Sequence, residues 1–287
     1  MMKPDQSGCS FNEKRLKVSD ANLVSVSHWW KLDIQGIIFC RLSCSSISMF
    51  KKILFALSFA LILGVDVEAK EFAECRQLFP KGQIPLVPNQ AALQLRDLCF
   101  SSFAVMHSGR SRTPLYVVER LNKDILIAAK SNQRSTKFYA EARLPVEERA
   151  ELADYKHSGF DRGHMASAGD MDTSEAMAQS FSLSNMVPQA PINNRKAWSS
   201  IETATRKYVM RAQGDVFVMT GPVFGQAPKT VNSGRMWVPD YLFKLVYDPN
   251  TGRSWAHWIE NTDEARPRKP ISYAELVSRT GIQFLPN

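Results

Sequence analysis

The chain has 287 residues, 44% of them hydrophobic and 22% charged, with 16 Phe and a formal net charge of +8. This is long and apolar enough to bury a large core, and it excludes a disordered polyelectrolyte. The basic balance favours polyanionic partners through counterion release, without base specificity.

The front of the chain reads differently from the rest. Met49-Phe50-Lys51-Lys52 precedes an apolar run over 53–65 and then Val67-Glu68-Ala69. A basic start, a short apolar centre and small or apolar residues before a cut predict a secretory signal peptide over 49–69, with Lys70 as the first mature residue. The run is shorter than the about 20 apolar residues of a comfortable membrane span, and an uncleaved anchor is the alternative. A signal peptide works only at an N-terminus, so residues 1–48 read as an upstream extension before a true start at Met49. The expected mature domain is 70–287, periplasmic or secreted, with no stable membrane association after cleavage. It holds 28 Lys+Arg and 22 Asp+Glu, so a net of +6 survives processing. Cys9, Cys40 and Cys44 fall in the leader, which leaves Cys75 and Cys99. An even pair in an oxidising compartment is expected to form a disulfide. No Cys-x-x-Cys or paired histidines point to zinc.

Residues 78–88 are punctuated by proline and read as a loop. The run 91–101 predicts a short helix carrying Cys99. Residues 115–119 and 124–129 are β-rich with a polar turn between them, which predicts a hairpin. A charged helix is expected over 146–154 and a short one over 174–181. Asp170 and Asp172 read as helix N-caps rather than metal ligands, and His107 and His157 as surface or loop histidines. Residues 216–220 form a buried strand expected to end at Gly221-Pro222. Two more strands, 239–247 and 254–260, flank a turn-rich segment, and a last helix falls within 272–286. Strands and helices intersperse without βαβ repeats. The expected fold is therefore α+β, one domain with a mainly antiparallel sheet flanked by helices.

The chemistry concentrates in 160–202. Asp161-Arg162-Gly163-His164 opens it, and in an extended backbone Arg162 and His164 project from one face. That places a fixed cation beside a base with an unperturbed pKa near ~6.5, a pair suited to a phosphate ester. Further on, Asn194, Trp198, Glu202 and Arg206 recur every fourth residue and predict a helical stripe. Asn194 and Glu202 would lie about 12 Å apart along its axis at ~1.5 Å per residue. The amide oxygen of Asn194 then suits direct contact with Mg²⁺, and Glu202 orients waters of the ion. Trp198 reads as a packing anchor.

Three ordered motifs carry a resemblance. Asp161-Arg162-Gly163-His164, Ser184-Asn185-Met186-Val187-Pro188-Gln189, and Asn194, Trp198 and Glu202 at four-residue spacing are similar to those of the DNA/RNA non-specific endonuclease family, nucleases with a ββα-metal (His-Me finger) motif. The resemblance covers roughly Cys75 to the end. It implies that His164 is the general base, Asn194 the sole direct protein ligand of Mg²⁺, and Glu202 a holder of its waters, with Mn²⁺ or another divalent cation able to substitute. It implies phosphate or transition-state contacts for Arg162 and Arg206 and a site-positioning role for Asn185. The family also has a phosphate-binding arginine upstream, for which Arg134 is the best match and Arg143 the rival. The expected activity is non-specific hydrolysis of DNA and RNA to 5′-phosphate products, and a homodimer is left open. A non-catalytic nucleic-acid-binding relative and a phosphodiesterase for other phosphate esters are the alternatives.

Overall fold

In chain order the elements are α1 (Gln90–Leu93), β1 (Leu95–Cys99), β2 (Phe103–Ser108), β3 (Thr113–Leu121), α2 (Lys123–Ala129), α3 (Leu152–Tyr155), β4 (Asp161–His164), α4 (Ser174–Gln179) and β5 (Met186–Gln189). A π-helical stretch, Asn193–Trp198, runs into α5 (Ser199–Val209), followed by β6 (Val216–Val223), β7 (Lys229–Val231), β8 (Met236–Val238), β9 (Tyr241–Asp248), β10 (Arg253–Glu260) and α6 (Tyr273–Thr280). This computed structural model describes residues 71–232 and 234–286; the signal peptide expected over 49–69 and the upstream extension over 1–48 lie outside them.

Strands β1-β2-β3-β6-β9-β10 form one sheet in that order, antiparallel throughout. The α+β expectation with a mainly antiparallel sheet is borne out. Both faces are covered. Ala104, Met106, Tyr116 and Val118 point to one core with Phe72, Leu276 and Phe284, while Val105 and Val117 point to the other with Met165, Trp198 and Ile201. Successive residues of a strand face opposite ways, so a sheet buried on both sides reads as the near-continuous apolar runs seen in β2 and β3. The second face carries β4, β5 and the helix through Trp198, and there the functional residues gather.

Cys75 and Cys99 are disulfide-bonded, with Cα atoms 5.7 Å apart. The bond ties the N-terminal segment to the edge strand β1, and in the chain-entropy model a loop of this length contributes about 3 kcal/mol. Among the described residues no helix is long and apolar enough to cross a membrane.

Several local expectations are corrected. The helix expected over 91–101 is confined to α1, because Gln94 takes a left-handed conformation (φ 52°) that ends it. Cys99 therefore lies on a strand. Residues 124–129 form helix α2, not the second arm of a hairpin. The Asn122 side chain caps it by accepting from Ile125 N at 3.0 Å, and Asp124 sits in the first turn, where a negative charge is favourable. A short apolar run does not by itself separate helix from strand. Of 146–154 only Leu152–Tyr155 is helical; Glu148 N and Arg149 N both bond back to Pro145 O in a turn. β6 does not stop at Gly221-Pro222. Pairing with β3 ends at Val117↔Thr220, so Pro222 has no N–H to supply on that side, and β9 continues alone to Val223↔Tyr241. At Gly221 a Cβ would come within 2.5 Å of Leu115 O. His107, expected as a surface or loop histidine, is instead fully buried on strand β2 and bonds through Nε2 to Glu148 O at 2.9 Å.

Candidate active site

β4 and β5 form a two-stranded antiparallel ribbon with Gly163 opposite Val187. Glycine is required there by space, since a Cβ on Gly163 would lie 2.1 Å from Gln189 Oε1 and 2.6 Å from Gln189 Cβ. Asn185 locks the far end of β4. Its Oδ1 accepts from Ala166 N at 2.8 Å, and its Nδ2 donates to Ala166 O at 3.0 Å and to Ser180 O at 2.9 Å. Fully buried, Asn185 fixes the chain just past His164 and does not face the cleft.

That cleft has a volume of about 480 Å³ and is lined by Arg134, Arg162, His164, Asn194 and Glu202 among others. His164 packs against Phe181 (ring centroids 4.8 Å) and Phe138 (5.9 Å). Its Nε2 is buried without a hydrogen-bond partner, which leaves Nδ1 as the ring nitrogen open to the cleft. Burial lowers its pKa to about 3, with the Arg134 charge adding to the effect. Burial thus holds the imidazole below its unperturbed value near 6.5 and favours the neutral form.

The cations around the cleft divide into two kinds. Arg162 lies 4.2 Å from the Phe138 ring centroid and Arg134 5.2 Å from that of Phe181, and neither has a carboxylate partner among the described residues. Their guanidinium donors are free for phosphate. Arg143 is instead held by Glu141 (2.8 and 3.0 Å) and Cys99 O (2.8 Å), and it lines a different cleft. Of the two upstream candidates, only Arg134 faces the site. Arg206 does not line the cleft, because its Nη1 is taken up by Asp170 and Ser167, both at 3.1 Å. Asp170 is therefore an ion-pair partner rather than a helix cap. Asp172 accepts from Ser102 at 2.7 Å, and Thr173 caps α4.

Asn194 and Glu202 meet in the same cleft, but not on one α-helical stripe. The first turn is π-helical and its backbone is wider, a form frequent at functional sites. Asn194 Nδ2 donates to Asp161 Oδ2 at 2.9 Å, which turns its carbonyl oxygen away from Asp161 and leaves it without a protein partner. Asp161 also accepts from Arg195 Nε at 2.9 Å and Nη2 at 2.6 Å. Burial raises the Glu202 carboxyl above the usual range, and the Lys244 charge pulls it back. A free amide oxygen and a carboxylate without hydrogen bonds among the described residues, in one open cleft, are the hard donors that suit an ion keeping most of its waters. Among the described residues no group of three or more His, Cys, Asp or Glu forms a protein cage for an ion. The donor set fits a divalent cation.

The family model for DNA/RNA non-specific endonucleases matches residues 82–287. The chain is 33% identical over 223 residues to mitochondrial endonuclease G of Bos taurus, covering 70% of this chain and 71% of that protein. It is 36% identical over 168 residues to Nuclease C1 of Cunninghamella echinulata var. echinulata, covering 54% and 66%.

The chain belongs to the DNA/RNA non-specific endonuclease family.

A crystal structure of the EndoG/EndoGI complex shares the fold, with a TM-score of 0.57 at 22% identity over 67% of this chain and 85% of that one. As a member of the DNA/RNA non-specific endonuclease family, the protein is a metal-dependent hydrolase of nucleic acids. Within this family member, the sequence motifs did not assign roles to Asp161, Phe138 or Phe181. Asp161 stood inside the first motif, and its position two residues from Arg162's neighbour Gly163 gave no hint of the bond to Asn194, which is 33 residues away. An aromatic residue right after Arg134-Ser135-Thr136-Lys137, a segment with a cation at each end, is the one available signal for Phe138.

Proposed function

We propose that the protein is a secreted or periplasmic, Mg²⁺-dependent endonuclease that hydrolyses DNA and RNA without sequence preference and leaves 5′-phosphate ends. The observation that carries this reading is one cleft holding an accessible imidazole nitrogen, a free amide oxygen, a carboxylate and two arginines without carboxylate partners. Arg162 and Arg134 grip the scissile and neighbouring phosphates, contacts that carry no sequence information. His164 takes a proton from the attacking water at Nδ1, in line with the leaving 3′-oxygen. Phe138 and Phe181 keep bulk water from the imidazole and support the two arginines through cation–π contact. Asn194, oriented by Asp161, and Glu202 would hold the cation. Mg²⁺, when bound, supplies charge neutralisation at the phosphoryl oxygens and the leaving group.

Export is supported by the signal-like stretch 49–69 and by the Cys75–Cys99 bond, which suits an oxidising compartment. N-terminal sequencing of exported protein should give Lys70 or a close neighbour, and retention of Met1 would contradict it. The activity is tested with supercoiled plasmid and with RNA, each with Mg²⁺ and with chelator, followed by end-labelling of the products. Cleavage of both, lost with chelator and leaving 5′-phosphates, is expected; turnover of small phosphate esters with intact plasmid would overturn the reading.

A further inference from the structure

The middle of the sheet contains a charged residue that burial alone would disfavour. Lys244 on β9 is 1% exposed. The strand register aligns Val117, Thr220, Lys244 and His257 in one cross-strand row, with Glu119 two residues along β3 on the same face. This is the face beneath the active site. Lys244 Nζ donates to Thr220 Oγ1 at 2.8 Å, reaches Met165 O at 3.5 Å, and lies 5.4 Å from the centroid of the Trp198 ring. Met165 directly follows His164, and Trp198 lies midway between Asn194 and Glu202. One buried ammonium therefore touches both elements of the site, the strand with the base and the helix with the cation donors.

Further charge surrounds it. Glu119 is fully buried, and neither carboxylate oxygen has a hydrogen-bond partner. It interacts electrostatically with Asp170, Lys244, Glu202 and Arg206, and Asp170 and Arg206 are themselves paired at 3.1 Å. Removing an ammonium from water costs several kcal/mol, and a well-packed apolar side chain of similar volume is often as stabilising or more so. Stability alone does not account for a lysine at this position, whereas its contacts do.

We propose that Lys244 is a positioning residue for the nuclease reaction, setting the spacing between the strand that carries His164 and the helix that carries Asn194 and Glu202. The inference rests on the proposed reading of those three residues as the reacting set. Glu119, whose burial pushes its carboxyl well above the usual range and favours the neutral acid, lies beside Lys244 and makes no contact with substrate.

The test compares wild type, Lys244→Met, Thr220→Val and Lys244→Met/Glu119→Gln by kcat and KM on duplex DNA, by Mn²⁺ binding in electron paramagnetic resonance, and by Tm. Lys244→Met should lower kcat about tenfold or more, leave KM for DNA unchanged, and weaken Mn²⁺ binding about tenfold, the scale typical of residues that orient metal ligands. Adding Glu119→Gln should not restore turnover. Thr220→Val, which removes only the hydroxyl partner, should fold normally and lose a smaller part of kcat. It decides the matter if Lys244→Met does not fold. Wild-type kcat and Mn²⁺ affinity in the folded single variants would overturn the proposal. So would full recovery of turnover in the double variant, which would make the charged layer a fold support only. His164→Ala measured alongside separates the two failures: if it cleaves normally, the assignment of the base fails rather than the role of Lys244.

Discussion

Replacing Asp161 by alanine should cost the enzyme its cation before it costs the fold. The two ends of the Asn194 amide are nearly the same size, and the hydrogen bond from Nδ2 to Asp161 Oδ2 at 2.9 Å is what distinguishes them. Without that acceptor the amide can turn its nitrogen into the cleft, and an NH₂ group is no ligand for a hard cation. Loss of a residue that orients a ligand typically lowers metal affinity 10–100-fold, about 1.4–2.7 kcal/mol. The stability change should be small, because the Arg195 side chain of the lost ion pair is 68% exposed and such pairs contribute ~0–1 kcal/mol. Plasmid nicking across a Mg²⁺ titration, with calorimetric Mn²⁺ binding, reads the effect. Half-saturation should move 10–100-fold higher, and saturating Mg²⁺ should recover most of the turnover. An unchanged Mg²⁺ dependence in a folded Asp161→Ala protein would refute the reasoning.

Gly163→Ala should destabilise the protein by about 1–3 kcal/mol, measured by urea unfolding, because its Cβ has no room beside Gln189. Changing Cys75 and Cys99 together to serine should lower unfolding free energy by about 3 kcal/mol while leaving kcat intact, since the bond lies outside the cleft. His107 gives a pH signature: burial lowers its pKa from 6.5 to about 4, so between these values the unfolded chain binds a proton that the native protein does not. The native state is therefore penalised as pH falls through that window, and wild type should lose stability relative to His107→Gln by on the order of 3 kcal/mol between pH 7 and pH 4. A pH-independent difference in chemical denaturation would contradict this.

The site was more legible than the fold around it. Arg162, His164, Asn194 and Glu202 sit in short motifs that the fold brings to one cleft, although the π-helical turn breaks the α-helical stripe expected from Asn194 to Glu202. Local readings failed where a single residue outweighed an apolar run, as when Asn122 capped 124–129 into a helix and the left-handed Gln94 ended the one before β1. Arg206 shared the spacing of Asn194 and Glu202, yet Asp170, distant in sequence, draws it out of the cleft. No periodicity records such a partner. Glu119 and Lys244 did leave a trace, as charges inside the strand runs LYVVE and LFKLV. Only the cross-strand register shows that both lie on the face beneath the active site.

Cleavage of supercoiled plasmid by His164→Ala in saturating Mg²⁺, with filter binding on the same preparation, addresses the base directly. Nδ1 of His164 is the open ring nitrogen in the cleft, and the proposed phosphate contacts fall to Arg134 and Arg162 instead. Turnover should fall by at least ~10²-fold, the lower end for losing a general base, while nucleic-acid binding stays near the wild-type level and weakens with salt. Cleavage by His164→Ala at the wild-type rate would contradict the assignment of this cleft as the site of hydrolysis.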